Sequence, residues 1–114
     1  MRCRWIVALA LCAGLARGAL GEWSTSVAAA KRQAYDNGRP LLVMVGNSST
    51  CSECQAAETY VFNKAEWKTY AQAKGIPQYF ADGAYPGPRD VKSALHAEYN
   101  IPFWPTMLVF RVRN

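Results

Sequence analysis

The chain of 114 residues is 51% apolar and 18% charged, a composition that allows one globular domain and argues against a disordered chain. Its formal net charge is +5, but acidic and basic residues alternate along most of the sequence and form no basic stripe. The composition therefore predicts no nucleic-acid partner.

Residues 1–21 have the pattern of a secretory signal. Arg2 and Arg4 precede an apolar run from Ile6 to Ala16, and small residues follow that run. The run is shorter than the roughly 20 residues that span a bilayer. We predict an exported protein, periplasmic or secreted, that contacts a membrane only through this segment if it stays uncleaved. An uncleaved anchor or an N-terminal core helix is the alternative interpretation.

Removal of this segment changes the charge of the chain. We expect cleavage after Gly18 or just before Glu22, and we assign residues 22–114 to the domain. Three of the 13 Lys and Arg residues lie in the segment, so the remainder carries 10 of them against 8 Asp and Glu, a net charge of +2.

The rest of the chain alternates between helical and strand patterns. Asn63 and Glu66 have the spacing of a capping box, which predicts that one helix breaks and restarts there. The alternation predicts an α/β sheet with helices on both faces. In chain order the elements are a helix from Trp23 stopped by Gly38 and Pro40, a strand at Leu41 to Val45, a helix opened by Cys51, a second helical piece closed by Gly75, a strand at Ile76 to Ala81, a loop at 82–88, a helix from Val91 to Tyr99, and a strand from Thr106 to Val112.

The most informative feature is the C-x-x-C pair of Cys51 and Cys54. These are the cysteines that remain when removal of residues 1–21 takes away Cys3 and Cys12. Cys51 follows a polar loop and begins a helix, where unpaired backbone N–H groups and the helix dipole favour a thiolate. Cys54 lies one turn further along, shielded, and would react second. This spacing predicts a redox pair.

Three other interpretations compete with redox chemistry. A zinc site needs more ligands than this pair, and His96 is the one histidine of the chain, predicted to be a structural residue on an exposed helix face. Two chains sharing a metal remain an alternative. A static disulfide would close a very short loop, where the gain in chain entropy is smallest. We predict no bound metal and no cofactor other than a Cys51–Cys54 disulfide.

The sequence resembles the thioredoxin superfamily, and within it the exported thioredoxin-like domains of thiol:disulfide interchange proteins. The resemblance implies that Cys51 is the nucleophile and Cys54 the resolving thiol. It also implies that Pro105 is a cis-proline facing the pair, with Trp104 and Thr106 beside it in a substrate-binding turn. The stretches that carry it are Arg39 to Val45, Cys51-Ser-Glu-Cys54, Glu58 with Val61-Phe62, Tyr99-Asn-Ile, Pro105-Thr106 and Val109-Phe110.

The sequence departs from that pattern around the pair. Residues 41–46 hold no carboxylate, although the resemblance implies a buried acid on this strand. Glu53 is a candidate modulator of the pair, or a solvated carboxylate in the first helical turn. Phe103 and Trp104 form either a peptide-binding lip or part of the core.

The pattern also stops early, because the resemblance implies a further strand and a final helix after the strand at Thr106. We therefore expect one sheet edge and part of a face to be uncovered. The predicted function is exchange of disulfides with protein thiols, as a reductase or electron relay, with a membrane electron donor as a candidate partner. A non-catalytic binding module that uses the cis-proline groove is the alternative, and metal handling through the cysteine pair is a weaker one.

Overall fold

The structure is a computed structural model that describes residues 19–82 and 88–113. The predicted export segment, residues 1–21, lies outside the described residues except for its last three. Within the described ranges, no helix has both the length and the apolar character needed to cross a membrane.

The described residues form helices and strands in the predicted alternating order. The second helix runs directly into a π-helical turn, Glu58–Phe62, before a third helix begins. The elements are α1 (Val27–Asn37), β1 (Leu41–Gly46), α2 (Ser52–Ala57), the π-helical turn, α3 (Ala65–Lys74), β2 (Gln78–Asp82), α4 (Pro88–Tyr99) and β3 (Thr106–Phe110).

The start of the first helix differs from the prediction. Helix α1 begins at Val27, because the Ser26 hydroxyl caps it by accepting the Ala29 backbone N–H at 3.0 Å. Trp23 instead forms a parallel β-bridge with Gln78. Trp23 and Val27 do not share a buried face: Trp23 packs against the cluster that contains Phe62 and Phe80, whereas Val27 packs against the cluster on the opposite face of the sheet.

The predicted capping box is also wrong in detail. The chain does break between the π-helical turn and α3, but the residue that caps α3 is Lys64, which makes no side-chain capping bond. Asn63 instead continues the turn, with its backbone N–H donating to the Glu58 carbonyl at 2.8 Å.

The sheet is three-stranded in the order β2–β1–β3, with β1 parallel to β2 and antiparallel to β3. Side chains of β1 alternate between its two faces. Val43 and Val45 face the cluster that holds α1 and α4, whereas Met44 faces the cluster that holds Phe62 and Phe80. Helices therefore cover both faces, as the sequence predicted.

Strand β3 forms one edge of this sheet. Val109 on β3 is 68% exposed, and an open groove of about 610 Å³ lies beside this strand, between α1 and α4. Within residues 19–82 and 88–113 no strand pairs with the outer side of β3. The expected uncovered edge is present in the part of the chain that the structure describes.

Candidate functional site

The loop between β1 and α2 is fixed by hydrogen bonds before it reaches the cysteines. The Asn47 carboxamide oxygen accepts the backbone N–H groups of Ser49 and Thr50, at 2.9 and 3.1 Å. The Asn47 carbonyl accepts the Cys51 N–H at 3.2 Å. This Asn-centred turn sets the position from which α2 begins.

Cys51 and Cys54 are joined by a disulfide at the start of α2. Cys51 is the N-cap residue, and its Sγ accepts the Cys54 backbone N–H at 3.1 Å. A backbone N–H directed at this sulfur favours a thiolate over a thiol after reduction. Cys51 is 8% exposed and Cys54 is 0% exposed, so an incoming sulfur reaches Cys51 first.

Gly46, the last residue of β1, provides the space that Cys54 occupies. A Cβ atom at Gly46 would overlap Cys54 Sγ and would lie 3.5 Å from Phe80 Cε1. Glycine is therefore required by close packing and not by backbone conformation. The sequence showed a glycine at the end of an apolar run, but nothing in it linked that glycine to the cysteines.

The peptide bond between Trp104 and Pro105 is cis, as the resemblance implied. Thr106 pairs with Val45, so Pro105 lies at the level of Gly46 on the neighbouring strand. The Thr106 hydroxyl donates to the Phe103 carbonyl at 2.6 Å and closes the turn that carries the cis bond. The structure thus brings the cysteine pair and Pro105 to the same end of the sheet.

The two aromatic residues before Pro105 lie in different environments. Trp104 is half-buried and packs against both core clusters, one of which contains Cys51 and Cys54. Phe103 is 69% exposed. Trp104 thus packs against the core, and the substrate-binding role predicted for it stays a prediction, as does a peptide-binding lip that includes the exposed Phe103.

Glu53 lies exposed in the first turn of α2. Its carboxylate accepts a hydrogen bond from the Ser52 hydroxyl at 3.1 Å. Its role as a modulator of the pair stays a prediction.

Asp82 is a buried carboxylate that sequence reasoning placed in a loop. It ends β2 opposite Gly46 and lies two positions after Phe80, so the two side chains share the cysteine side of the sheet. It is 3% exposed and accepts the Ser48 backbone N–H at 2.9 Å. Burial, and in second place the charge of Asp82, raise the pKa of the Tyr79 hydroxyl. Strand β1 itself carries no acid; among the residues whose burial the structure describes, Asp82 is the buried carboxylate, and it lies on the cysteine side of the sheet.

The prediction of an exposed His96 is wrong. His96 is half-buried on α4, and its Nε2 accepts the Trp104 indole N–H at 3.1 Å. Helical periodicity located His96 on α4 but gave no information about the loop that returns to cover it.

The described residues contain no group of three or more His, Cys, Asp or Glu side chains placed to hold a metal ion. The chemistry available at this site is that of the disulfide, the backbone N–H groups around it and the turn that contains Pro105.

Comparison with known proteins bears on the fold. No protein-family model and no curated protein matches the chain. Among solved structures, a chain titled DsbH Oxidoreductase superimposes with a TM-score of 0.66 and 20% sequence identity, covering 83% of this chain and 67% of the other. Together with the mixed sheet, the C-x-x-C pair at a helix start and the cis-proline beside it, this similarity shows that the chain has a thioredoxin-like fold.

Proposed function

We propose that this protein is a thiol:disulfide oxidoreductase that exchanges disulfides with protein thiols through Cys51 and Cys54. The observation that carries the proposal is the asymmetry of the pair. Cys51 reaches the surface and receives a backbone N–H at its sulfur, while Cys54 is enclosed behind it against Gly46. This arrangement suits one attacking and one resolving thiol.

In the reducing direction, the Cys51 thiolate attacks one sulfur of a substrate disulfide. The substrate S–S bond breaks, a mixed disulfide forms on Cys51, and the other substrate sulfur leaves as a thiolate that takes up a proton. The Cys54 thiolate then attacks Cys51 Sγ and expels the first substrate sulfur as a second thiolate. Two electrons pass from the dithiol to the substrate, and the Cys51–Cys54 disulfide is restored.

The turn at Pro105 would hold the substrate beside the pair. An extended peptide can pair with the backbone around the cis bond, and the exposed Phe103 ring offers an apolar contact to residues near the substrate cysteine. The signal-like residues 1–21 support an exported location, periplasmic or secreted. A dithiol electron donor, with a membrane protein as the candidate, would regenerate the reduced form.

Reduction of a disulfide-bonded protein such as insulin, followed at several pH values, tests the activity. The Cys54→Ser variant should accumulate a mixed disulfide with the substrate, because the resolving thiol is absent. The matched Cys51→Ser variant keeps the buried thiol and should neither trap substrate nor turn over. Equal activity in the wild type and in Cys51→Ser would contradict the proposal.

A second candidate function, a non-catalytic binding module, is favoured by one observation: strand β1 carries no carboxylate behind the pair. The redox potential of the Cys51–Cys54 couple separates the two functions. A pair that stays oxidised under a strong dithiol reductant and exchanges with no substrate indicates a binding module. A couple that equilibrates with glutathione or dithiothreitol indicates an oxidoreductase.

A further inference from the structure

We propose that His96 is a positioning residue for the site of disulfide exchange formed by the cysteine pair and Pro105. His96 acts by holding Trp104, and with it the cis bond to Pro105, against the cysteine pair. This inference rests on the proposed function. His96 lies on α4 and has no direct place in the chemistry of the disulfide. Its imidazole and the Trp104 indole form an edge-to-face pair, with ring centroids 6.1 Å apart and planes inclined by 72°.

The contact between the two rings has a defined donor and acceptor. An indole N–H can donate but cannot accept, so the Trp104 Nε1 to His96 Nε2 contact of 3.1 Å requires a lone pair on Nε2. A neutral imidazole protonated at Nδ1 supplies that lone pair. An imidazolium carries hydrogen on both nitrogens, cannot accept the bond and places its hydrogen against that of the indole.

The position of Trp104 matters because this side chain contacts both core clusters. Its ring packs against the cluster of α1 and α4 and also against the cluster that contains Cys51 and Cys54. The neighbouring residues Pro102 and Phe103 are exposed, so Trp104 and Ile101 are the side chains that anchor this turn to the core. Loss of the hydrogen bond that Trp104 donates to His96 therefore loosens the turn next to Pro105.

Other charged and titratable groups lie on the elements around His96, and they bear on any pH profile. In sequence, helix α4 carries Arg89, Asp90, Lys92, Glu98 and Tyr99; β2 carries Tyr79 and Asp82, and α2 with its N-cap residue carries Glu53 and the two thiols after reduction. The described residues of β3 and of the turn before it, 101–110, contain no ionisable side chain. A comparison of variants that differ only at His96 removes the contributions of these groups.

The experiment measures the rate of disulfide exchange by the full chain between pH 5 and 8, the range in which histidine side chains change charge. In His96→Gln the carboxamide oxygen can still accept the indole N–H but does not titrate. The ratio of the wild-type rate to the His96→Gln rate should fall roughly 3- to 10-fold from pH 8 to pH 5, the factor that one net hydrogen bond represents. The thiolate fraction affects both proteins alike and cancels in the ratio.

Two further variants provide the controls. His96→Leu removes the acceptor at every pH, so the ratio of its rate to that of His96→Gln should be low and independent of pH. Glu98→Gln changes a charge on the same helix without changing the acceptor, and its ratio to the wild type should stay flat. A ratio of wild type to His96→Gln that does not vary with pH would overturn the proposal.

An NMR measurement on the oxidised protein separates failure of this proposal from failure of the proposed function. The Trp104 indole N–H resonance, assigned with Trp104→Phe, should move with pH between 5 and 8 in the wild type and stay fixed in His96→Gln. If the resonance moves but no exchange activity is found, the contact between the rings stands and the proposed function fails. If exchange is active and the resonance is insensitive to pH, His96 does not position Trp104.

Discussion

Substitution of Gly46 by alanine tests the packing behind the cysteine pair with a single methyl group. The added Cβ would overlap Cys54 Sγ, and it would lie 3.5 Å from Phe80 Cε1 and 3.6 Å from Cys54 Cβ. The overlapped sulfur belongs to a fully buried side chain that is held by the disulfide, so it cannot move aside as the end of a flexible chain would. Either β1 or α2 must shift.

The expected cost follows from two opposing effects. Overpacking a filled core costs about 1–3 kcal/mol. Replacing glycine in a strand returns about 0.5–1 kcal/mol, because alanine loses less backbone freedom on folding. We expect Gly46→Ala to lower the free energy of unfolding by up to roughly 2.5 kcal/mol, which corresponds to as much as about 10–20 °C in Tm for a domain of this size. Displacement of Cys54 should also slow resolution of the mixed disulfide.

Thermal unfolding and single-turnover exchange kinetics check both effects. A double-mutant cycle isolates the contact: in a Cys51→Ala/Cys54→Ala background the sulfur is absent, and the penalty of Gly46→Ala should largely disappear. The reasoning is refuted if Gly46→Ala is as stable as the wild type and resolves the mixed disulfide at the same rate. It is also refuted if the penalty is unchanged when Cys54 Sγ has been removed.

Four further predictions follow from individual residues. Phe103→Ser removes an exposed ring beside Pro105 and should raise KM for a protein substrate several-fold. The melting temperature should stay within about 1–2 °C of the wild type, because surface substitutions cost little stability. An unchanged KM would exclude a peptide-binding lip at Phe103. Residues 22–114 should self-associate through the edge strand β3, and Val109→Lys should shift them to monomer in analytical ultracentrifugation; a monomeric wild-type fragment would contradict this. Burial and the charge of Asp82 raise the pKa of Tyr79 above 10.0 in the folded state, so the stability that the neutral hydroxyl contributes is full below pH 10.0 and is lost as pH rises through the folded pKa. In urea unfolding, Tyr79→Phe should therefore lose less stability than the wild type above pH 10.0. An equal loss in both proteins would count against a raised pKa of Tyr79. If the chain is exported and its signal is cleaved, intact-mass analysis should find a mature chain that begins at Ala19 or at Glu22; an exported chain that keeps residues 1–18 would contradict the cleavage prediction.

The order of elements and the location of the chemistry could be predicted from the sequence because both depend on local patterns. The apolar run at residues 41–45 and the stop at Gly38 are signals read within one turn or strand, and Gly38 does adopt the left-handed conformation with φ 64°. The C-x-x-C spacing fixed Cys51 and Cys54 within one helical turn. Alternation of helix and strand then restricted the fold to a sheet covered on both faces.

Local patterns were insufficient at Trp23 and His96. Trp23 lies at helical spacing from Val27, yet its partner is Gln78, which is 55 positions further along the chain. His96 lies on the predicted helix, but its imidazole is half-buried because Trp104, which packs against both core clusters, lies against it. Periodicity predicts which face of an element is apolar, and it contains no information on which distant residue will cover a polar side chain.

The sequence alone determined which residues can perform thiol chemistry and on which kind of element each lies. Tertiary structure decided which residues surround them: the register of β2 on β1 places Asp82 opposite Gly46, and the packing of α2 brings Cys54 Sγ against that glycine. These contacts depend on the alignment of strands and helices that are distant in the chain. A shift of one residue in strand register would move Asp82 away from Gly46 and turn its side chain to the other face of the sheet, while leaving every local pattern unchanged.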